Sequence, residues 1–181
     1  MKIVVAQQKG GTAKSTTALL LAVVLNKAGK EFEIIDLDPQ KSLTGWIDTI
    51  GLESTSGATY QIIDTPPSVF DTETEKSLAS ADAVIVPSGT SVSELQVTAT
   101  TLPTIKERTK APVRVLWSRV QSNTTAGKSL VELSEHIGAD TFKQSIALRQ
   151  CYQQDFIMEG WKGLNAPARD EASAFVLEVI A

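Results

Sequence analysis

One cysteine, Cys151, and one histidine, His136, stand in 181 residues. A lone cysteine closes no intramolecular disulfide and builds no cysteine-based metal cluster within one chain. That fits a reducing cytoplasm. A lone histidine has no partner for metal or acyl chemistry, and His136 reads as surface structure at the polar end of a helix. Long apolar runs are missing too. The longest, Ala18 to Leu25, is far too short to span a bilayer. The N-terminal run Ile3 to Ala6 is shorter still, and a glycine-bearing loop follows at once, which speaks against a secretory signal. Positive charge is not in excess: the net charge is -4 and the sequence pI about 5.1. A surface that is basic throughout is therefore excluded, and only a local basic patch is left open.

What is present is alternation. The length predicts one domain over residues 1–181 with a sizeable core. Strand-like segments are expected at Lys2–Ala6, Glu33–Asp36, Tyr60–Asp64, Ala83–Pro87 and Val113–Trp117, with a weaker one near Thr141–Ser145. Helical patterns lie between them: Ser15–Ala28, Glu73–Ser80, Glu94–Arg108, Thr125–Ile137, Leu148–Met158 and Asp170–Ile180. Such alternation predicts an α/β fold, a mostly parallel twisted sheet with helices on both faces. Ile3-Val4-Val5 and Val84-Ile85-Val86 are apolar without alternation, as strands buried on both faces are. Pro103 predicts a kink or break in its helix. Gly51 to Thr59 is small and polar and reads as a loop.

The stretch Gln7-Gln8-Lys9-Gly10-Gly11-Thr12-Ala13-Lys14-Ser15-Thr16 carries the most information. Strand, glycine-bearing loop, lysine, hydroxyl and helix follow one another as in a phosphate-binding loop. Backbone N–H groups of such a loop and the following helix N-terminus cradle nucleotide phosphates. Lys14 is placed to reach the β- and γ-phosphates, and the Ser15 hydroxyl to ligate Mg²⁺. Alanine at position 13, where the pattern asks for glycine, is a departure. If that position has positive φ, alanine costs on the order of 1–2 kcal/mol. The expectation is weakened nucleotide affinity, or a slow or absent hydrolytic cycle.

Carboxylates follow at strand ends. Asp36-Leu37-Asp38-Pro39-Gln40 closes the second strand, and its two carboxylates are expected to do different jobs. Ile62-Ile63-Asp64-Thr65-Pro66-Pro67 ends the third strand in an aspartate, the Walker B arrangement for holding Mg²⁺. Together they suggest phosphoanhydride hydrolysis by positioning and charge neutralisation.

Lys9-Gly10-Gly11 followed by Lys14-Ser15 resembles the deviant Walker A motif of the ParA/MinD family of P-loop ATPases. Asp36-Leu37-Asp38-Pro39-Gln40 through Trp46, Asp64-Thr65-Pro66-Pro67 and Ser145 to Tyr152 extend the likeness over most of the chain, most closely to small ParF-like plasmid partition members. The resemblance implies that Lys9 reaches the partner's nucleotide across an ATP-bound homodimer, that Asp38 positions the attacking water, and that Asp36 supports Lys14 or the magnesium surroundings. It places Lys9 to Thr16, Ser118 and Arg119 at the nucleotide; a surface salt bridge is the other reading of Arg119. It implies ATP and Mg²⁺ as cofactors and ATP hydrolysis to ADP and phosphate. It also implies a ParB-like or other adaptor with a basic N-terminal arm, and non-specific DNA binding, with nucleoid association if DNA is bound. Lys106, Arg108, Lys110 and Arg149 are the DNA candidates, Arg149 being equally suited to nucleotide or dimer contact. No helix-turn-helix precedes the loop, and the thirteen residues Ile47 to Thr59 are a short connection for the family. The acidic segment Arg169 to Glu178 should pack as a core helix, which disfavours membrane targeting. Two other classes remain open: a regulator or scaffold that binds nucleotide without turnover, and a metabolic nucleotide-dependent enzyme on the same fold.

Overall fold

The computed structural model describes residues 1–181. Five strands form one sheet: β1 (Lys2–Val5), β2 (Phe32–Asp36), β3 (Tyr60–Asp64), β4 (Ala83–Ser88) and β5 (Val113–Trp117). Every pairing is parallel and the spatial order is β2-β3-β1-β4-β5. The chain leaves β1 towards β2 on one side and leaves β3 towards β4 on the other. The crevice above β1 and β3 is therefore the topological switch point, where open α/β sheets bind ligands.

Successive strand residues alternate between two cores. Ile3 and Val5 of β1, Ile62 of β3, Ile85 of β4 and Leu116 of β5 face one cluster. Val4, Ile63, Val84, Val86, Val115 and Trp117 face the other. The first core is closed by α1 (Lys14–Lys27), α2 (Ser42–Ile50) and α8 (Ala166–Ile180); α3 (Thr72–Ala79) and α4 (Val92–Lys106) lie on the second. Helix α1 has no polar face over its middle: Ala18 to Val23 are all buried. A helix apolar all round is enclosed on every side, and α1 lies between the sheet, α2 and α8.

The structure corrects several expectations. Helix α2 is present where no helix was expected. The patterned segment Thr125–Ile137 breaks at Ser129 into α5 (Thr125–Lys128) and α6 (Leu130–His136). Leu148–Met158 holds only a 3-10 turn, Gln150–Tyr152, and the short α7 (Asp155–Glu159). Helix α8 starts at Ala166, because Asn165 caps it by accepting the Ala168 N–H at 3.1 Å. Pro103 breaks nothing; α4 runs through it to Lys106. The weak sixth strand is reduced to two isolated bridges, Val115 with Thr141 and Val120 with Ala147. The reason is Glu178 of α8. Its carboxylate accepts the Gln144 N–H at 2.8 Å, the donor that would continue the ladder from Phe142, so the Trp117 carbonyl is left to Ile146. The Lys143 N–H, which alternation points away from β5, goes to the same carboxylate at 3.0 Å.

No helix is long and apolar enough to cross a membrane.

Candidate phosphate-binding site

Residues 6–13 connect β1 to α1, and Gly10, Gly11 and Ala13 of this loop line a cleft of about 430 Å³ at the switch point. Gly10, Gly11, Ala13, Lys14, Ser15 and Thr16 form its floor. Asp38, Gln40, Trp46, Pro67 and Arg119 form its walls. The cleft thus gathers the predicted loop with residues from the ends of β2, β3 and β5.

The loop is held by α4 and by the end of β5. The Gln7 side chain is fully buried and donates to Thr98 Oγ1 at 3.0 Å; Thr98 donates on to Ser88 Oγ at 2.8 Å. Thr101 donates to Gln8 Oε1 at 3.3 Å. Lys9 Nζ donates to Ser93 Oγ at 2.9 Å. Three consecutive loop residues are thus tied to α4. Ser118, buried at the end of β5, donates to the Thr12 carbonyl at 3.4 Å. Gln7, Thr98 and Thr101 escape sequence reading, because only the fold sets α4 beside the loop.

Gly11 and Ala13 both have positive φ, 73° and 71°. The Ala13 conformation is left-handed and it precedes the first turn of α1, where its carbonyl accepts from the Thr17 backbone and hydroxyl. The steric condition set out above is met: a Cβ stands where glycine would be unstrained. Ala13→Gly should raise stability by about 0.5–1 kcal/mol, since relief of strain exceeds the added freedom of the unfolded chain. Denaturant melts will show this as a higher midpoint at unchanged slope, and a lower midpoint would refute it.

Lys14 is buried, and burial pushes its ammonium below the ordinary lysine range while Asp64 and Asp38 pull it back up. Asp64 is wholly buried at the C-terminal end of β3. Burial raises its carboxyl to about 7; the Ser15 hydroxyl and Lys14 oppose this, and Asp36 and Asp38 add to it. Ser15 is near enough to act on Asp64 but stands outside hydrogen-bonding geometry: neither Asp64 oxygen has a partner. A buried carboxylate without a partner is expensive. Beside a hydroxyl at the head of a phosphate loop, it fits the donor set of a hard divalent cation. No three His, Cys, Asp or Glu side chains converge as a metal cage. A divalent ion here would rely on Ser15, Asp64, water and phosphate oxygens, as Mg²⁺ commonly does.

Asp36 and Asp38 have different surroundings because β2 ends at Asp36 and the chain turns before Asp38. Asp36 Oδ2 accepts the Thr44 N–H at 3.0 Å and the Thr44 hydroxyl at 3.1 Å; Oδ1 accepts the Asp38 N–H at 3.1 Å. It thereby caps α2 from the end of β2. Asp38 faces the cleft, with Oδ1 accepting the Gln40 N–H at 2.9 Å. Arg119 lines the cleft with φ of 55° and is ion-paired to Glu94.

The four DNA candidates do not share a face. Lys106, Arg108 and Lys110 lie where α4 leads into β5, at the edge from which the strands start. Arg108 is paired with Glu75 at 3.1 Å, leaving Lys106 and Lys110 exposed. Arg149 is beside the cleft, where it shares an apolar pocket with Ala13 and Leu20, and its guanidinium is paired with Glu171.

The family model of the CobQ/CobB/MinD/ParA nucleotide-binding domain matches residues 3–154. The chain belongs to this family. Its fold is that of the MinD/ParA P-loop NTPases. The chromosome-partitioning ATPase Soj of Thermus thermophilus is 49% identical over 43 residues, a match that takes in 24% of this chain and 17% of Soj. A putative plasmid partition protein of Borrelia burgdorferi, solved bound to AMPPNP, superimposes with a TM-score of 0.76 at 20% identity, covering 98% of this chain and 97% of that one. The MinD cell division protein of Aquifex aeolicus does so at 0.78 and 15% identity, over 98% and 96%. At these identities the solved structures speak for the fold alone.

Proposed function

We propose that this MinD/ParA-family chain is a positioning ATPase that binds ATP with Mg²⁺ in the cleft, closes as a homodimer around two nucleotides, and partitions DNA or other cargo. The carrying observation is Asp64: a fully buried carboxylate with no hydrogen-bond partner, between Ser15 and Lys14 at the switch point. The local likeness to Soj favours partition over a metabolic synthetase on the same fold.

In this reading the loop from Lys9 to Thr16 wraps the phosphates with backbone N–H groups, and Lys14 offsets β- and γ-phosphate charge. Ser15 and Asp64 hold the magnesium ion, and Asp36 acts through the α2 turn that it caps. Magnesium, when bound, neutralises charge that develops on the phosphate oxygens. Asp38 orients the attacking water. Lys9 leaves Ser93 to meet the nucleotide of the second subunit. Ser118 steadies the loop, and Arg119 meets the nucleotide at the rim. An adaptor with a basic N-terminal arm stimulates hydrolysis, and the basic residues Lys106, Lys110, Arg108 and Arg149 contact DNA phosphates. Strain at Ala13 slows this cycle.

Titration with labelled ATP, with and without Mg²⁺, tests the nucleotide reading; saturable binding that requires Mg²⁺ is expected. The Ala13→Gly form should bind about tenfold more tightly, the equivalent of 1.4 kcal/mol, and equal affinities would remove Ala13 as a brake. DNA retardation with ATP at two salt concentrations tests the partition reading. Binding should weaken steeply at the higher salt. No ATP-dependent retardation in either form would overturn it.

A further inference from the structure

Helix α4 opens with Ser91-Val92-Ser93-Glu94. Serine followed three residues later by glutamate is the capping-box pattern. In that pattern the serine side chain takes the N–H of the third helical residue, and the glutamate reaches back to the serine N–H. The structure does neither. Ser91 makes no side-chain cap. Its hydroxyl donates instead to Glu94 Oε2 at 2.7 Å. The other Glu94 oxygen, Oε1, pairs with the Arg119 guanidinium. A good cap is worth about 1 kcal/mol, so something at this corner outweighs it. Chains break such local rules chiefly at functional or strained sites.

Three more observations converge there. The Glu94 side chain is only 12% exposed against 41% for Arg119, so the carboxylate needs a partner more than the guanidinium does. Gly89, at the end of β4, leaves the carboxylate its space; a Cβ at that position would overlap it. Arg119 itself has φ of 55°, a strained conformation for a side chain of its size. Its neighbour Ser118 bonds the phosphate loop, and Arg119 lines both the phosphate cleft and the apolar pocket beside it. The one hydrogen bond that Arg119 makes with a side chain is the one to Glu94.

We propose that Glu94 is a positioning residue that sets nucleotide affinity by holding Arg119 on α4, and that it hands Arg119 to the phosphates when nucleotide binds. The proposal rests on the nucleotide reading above. The capping box makes the exchange feasible. When Arg119 leaves, the Glu94 carboxylate falls back on the free N–H groups at the start of α4, a favourable place for negative charge. Neither state strands a buried charge. Glu94 therefore has two sets of partners, and the nucleotide must outcompete the first.

Glu94→Gln is the discriminating variant, because glutamine also completes a capping box and keeps the helix start intact. It releases Arg119 and should tighten MgATP binding by about 5- to 10-fold in a calorimetric titration. Arg119→Ala should weaken it by a similar factor. The decisive comparison is the pair Arg119→Ala and Arg119→Ala with Glu94→Gln. If Glu94 acts through Arg119, these two bind alike within about 2-fold. Tightening by Glu94→Gln that persists without Arg119 would reduce the effect to charge repulsion and overturn the proposal. Unchanged or weaker binding by Glu94→Gln alone would overturn it as well. Failure of every form to bind MgATP, the Ala13→Gly form included, would instead overturn the nucleotide reading and take this proposal with it.

Discussion

Replacing Lys14 by alanine will reduce MgATP affinity by at least about 100-fold. A hydrogen bond to a charged group contributes about 1.5–3 kcal/mol, and in the proposed reading Lys14 meets two phosphates. About 3 kcal/mol or more is lost, which is on the order of 100-fold in the dissociation constant. The geometry makes the loss hard to repair. Lys14 is buried at the first position of α1, and burial already disfavours its charge. Only the carboxylates Asp64 and Asp38 hold that charge in place. Removing Lys14 leaves Asp64 with Asp36 and Asp38 as its charged neighbours, all of one sign. The cleft then repels phosphate instead of attracting it. Isothermal titration measures the loss, and a far-ultraviolet melt shows that the variant is folded. Affinity within 5-fold of the parent would mean that phosphate does not reach Lys14.

The nucleotide-free protein will lose stability as pH rises from 5 to 7, and Asp64 is the reason. Burial lifts its folded-state value to about 7, against about 4 in an unfolded chain. Between those values the folded protein keeps a proton that the unfolded chain has released. The unfolded state binds fewer protons, so stability falls with pH across that window and flattens above about 7. Over two pH units the loss is about 2–3 kcal/mol, or roughly 5–10 °C in melting temperature for a chain of this length. Other groups face Asp64 from the packed elements. Lys14 and Ser15 oppose the shift, whereas Asp36 and Asp38 enlarge it. The lowered Lys14 acts in the opposite sense but at higher pH, between its folded value and the ordinary lysine range. The lowered Glu33 acts only below about 4, where an ordinary carboxylate titrates. Asp64→Asn cannot ionise and should remove the slope between pH 5 and 7. It should also abolish the Mg²⁺ requirement of nucleotide binding. Saturating MgATP should flatten the parent's profile, because metal binding favours the ionised carboxylate. A slope that survives in Asp64→Asn would place the titrating group elsewhere.

Much of the architecture is legible in local pattern. Buried parallel strands are continuous apolar runs, and β1 and β4 read that way. The phosphate loop is legible because its backbone demands glycine, lysine and hydroxyl at set spacing. What escaped depends on partners distant in sequence. Helix α2 has no capping side chain of its own at Lys41; Asp36, on another element, supplies it. The segment Thr141–Ser145 has strand composition, but a carboxylate from α8 takes the Gln144 N–H that would continue its ladder with β5. Capping boxes and ladders are local expectations, and tertiary contacts overrode both at Ser91–Glu94 and at residues 143–144.

By itself the sequence determined the fold class, the strand set and the chemistry at the head of α1, because hydrophobic period and loop composition are properties of adjacent residues. It also determined that Ala13 departs from the pattern. Tertiary structure alone decided that Ala13 stands at positive φ, that Asp64 is buried without a partner, and that Glu94 pairs with Arg119 instead of completing its capping box. Burial, backbone angle and ion pairing at those positions are set by residues tens of positions away, which the packing of β1, β3, β5 and α4 brings to one corner.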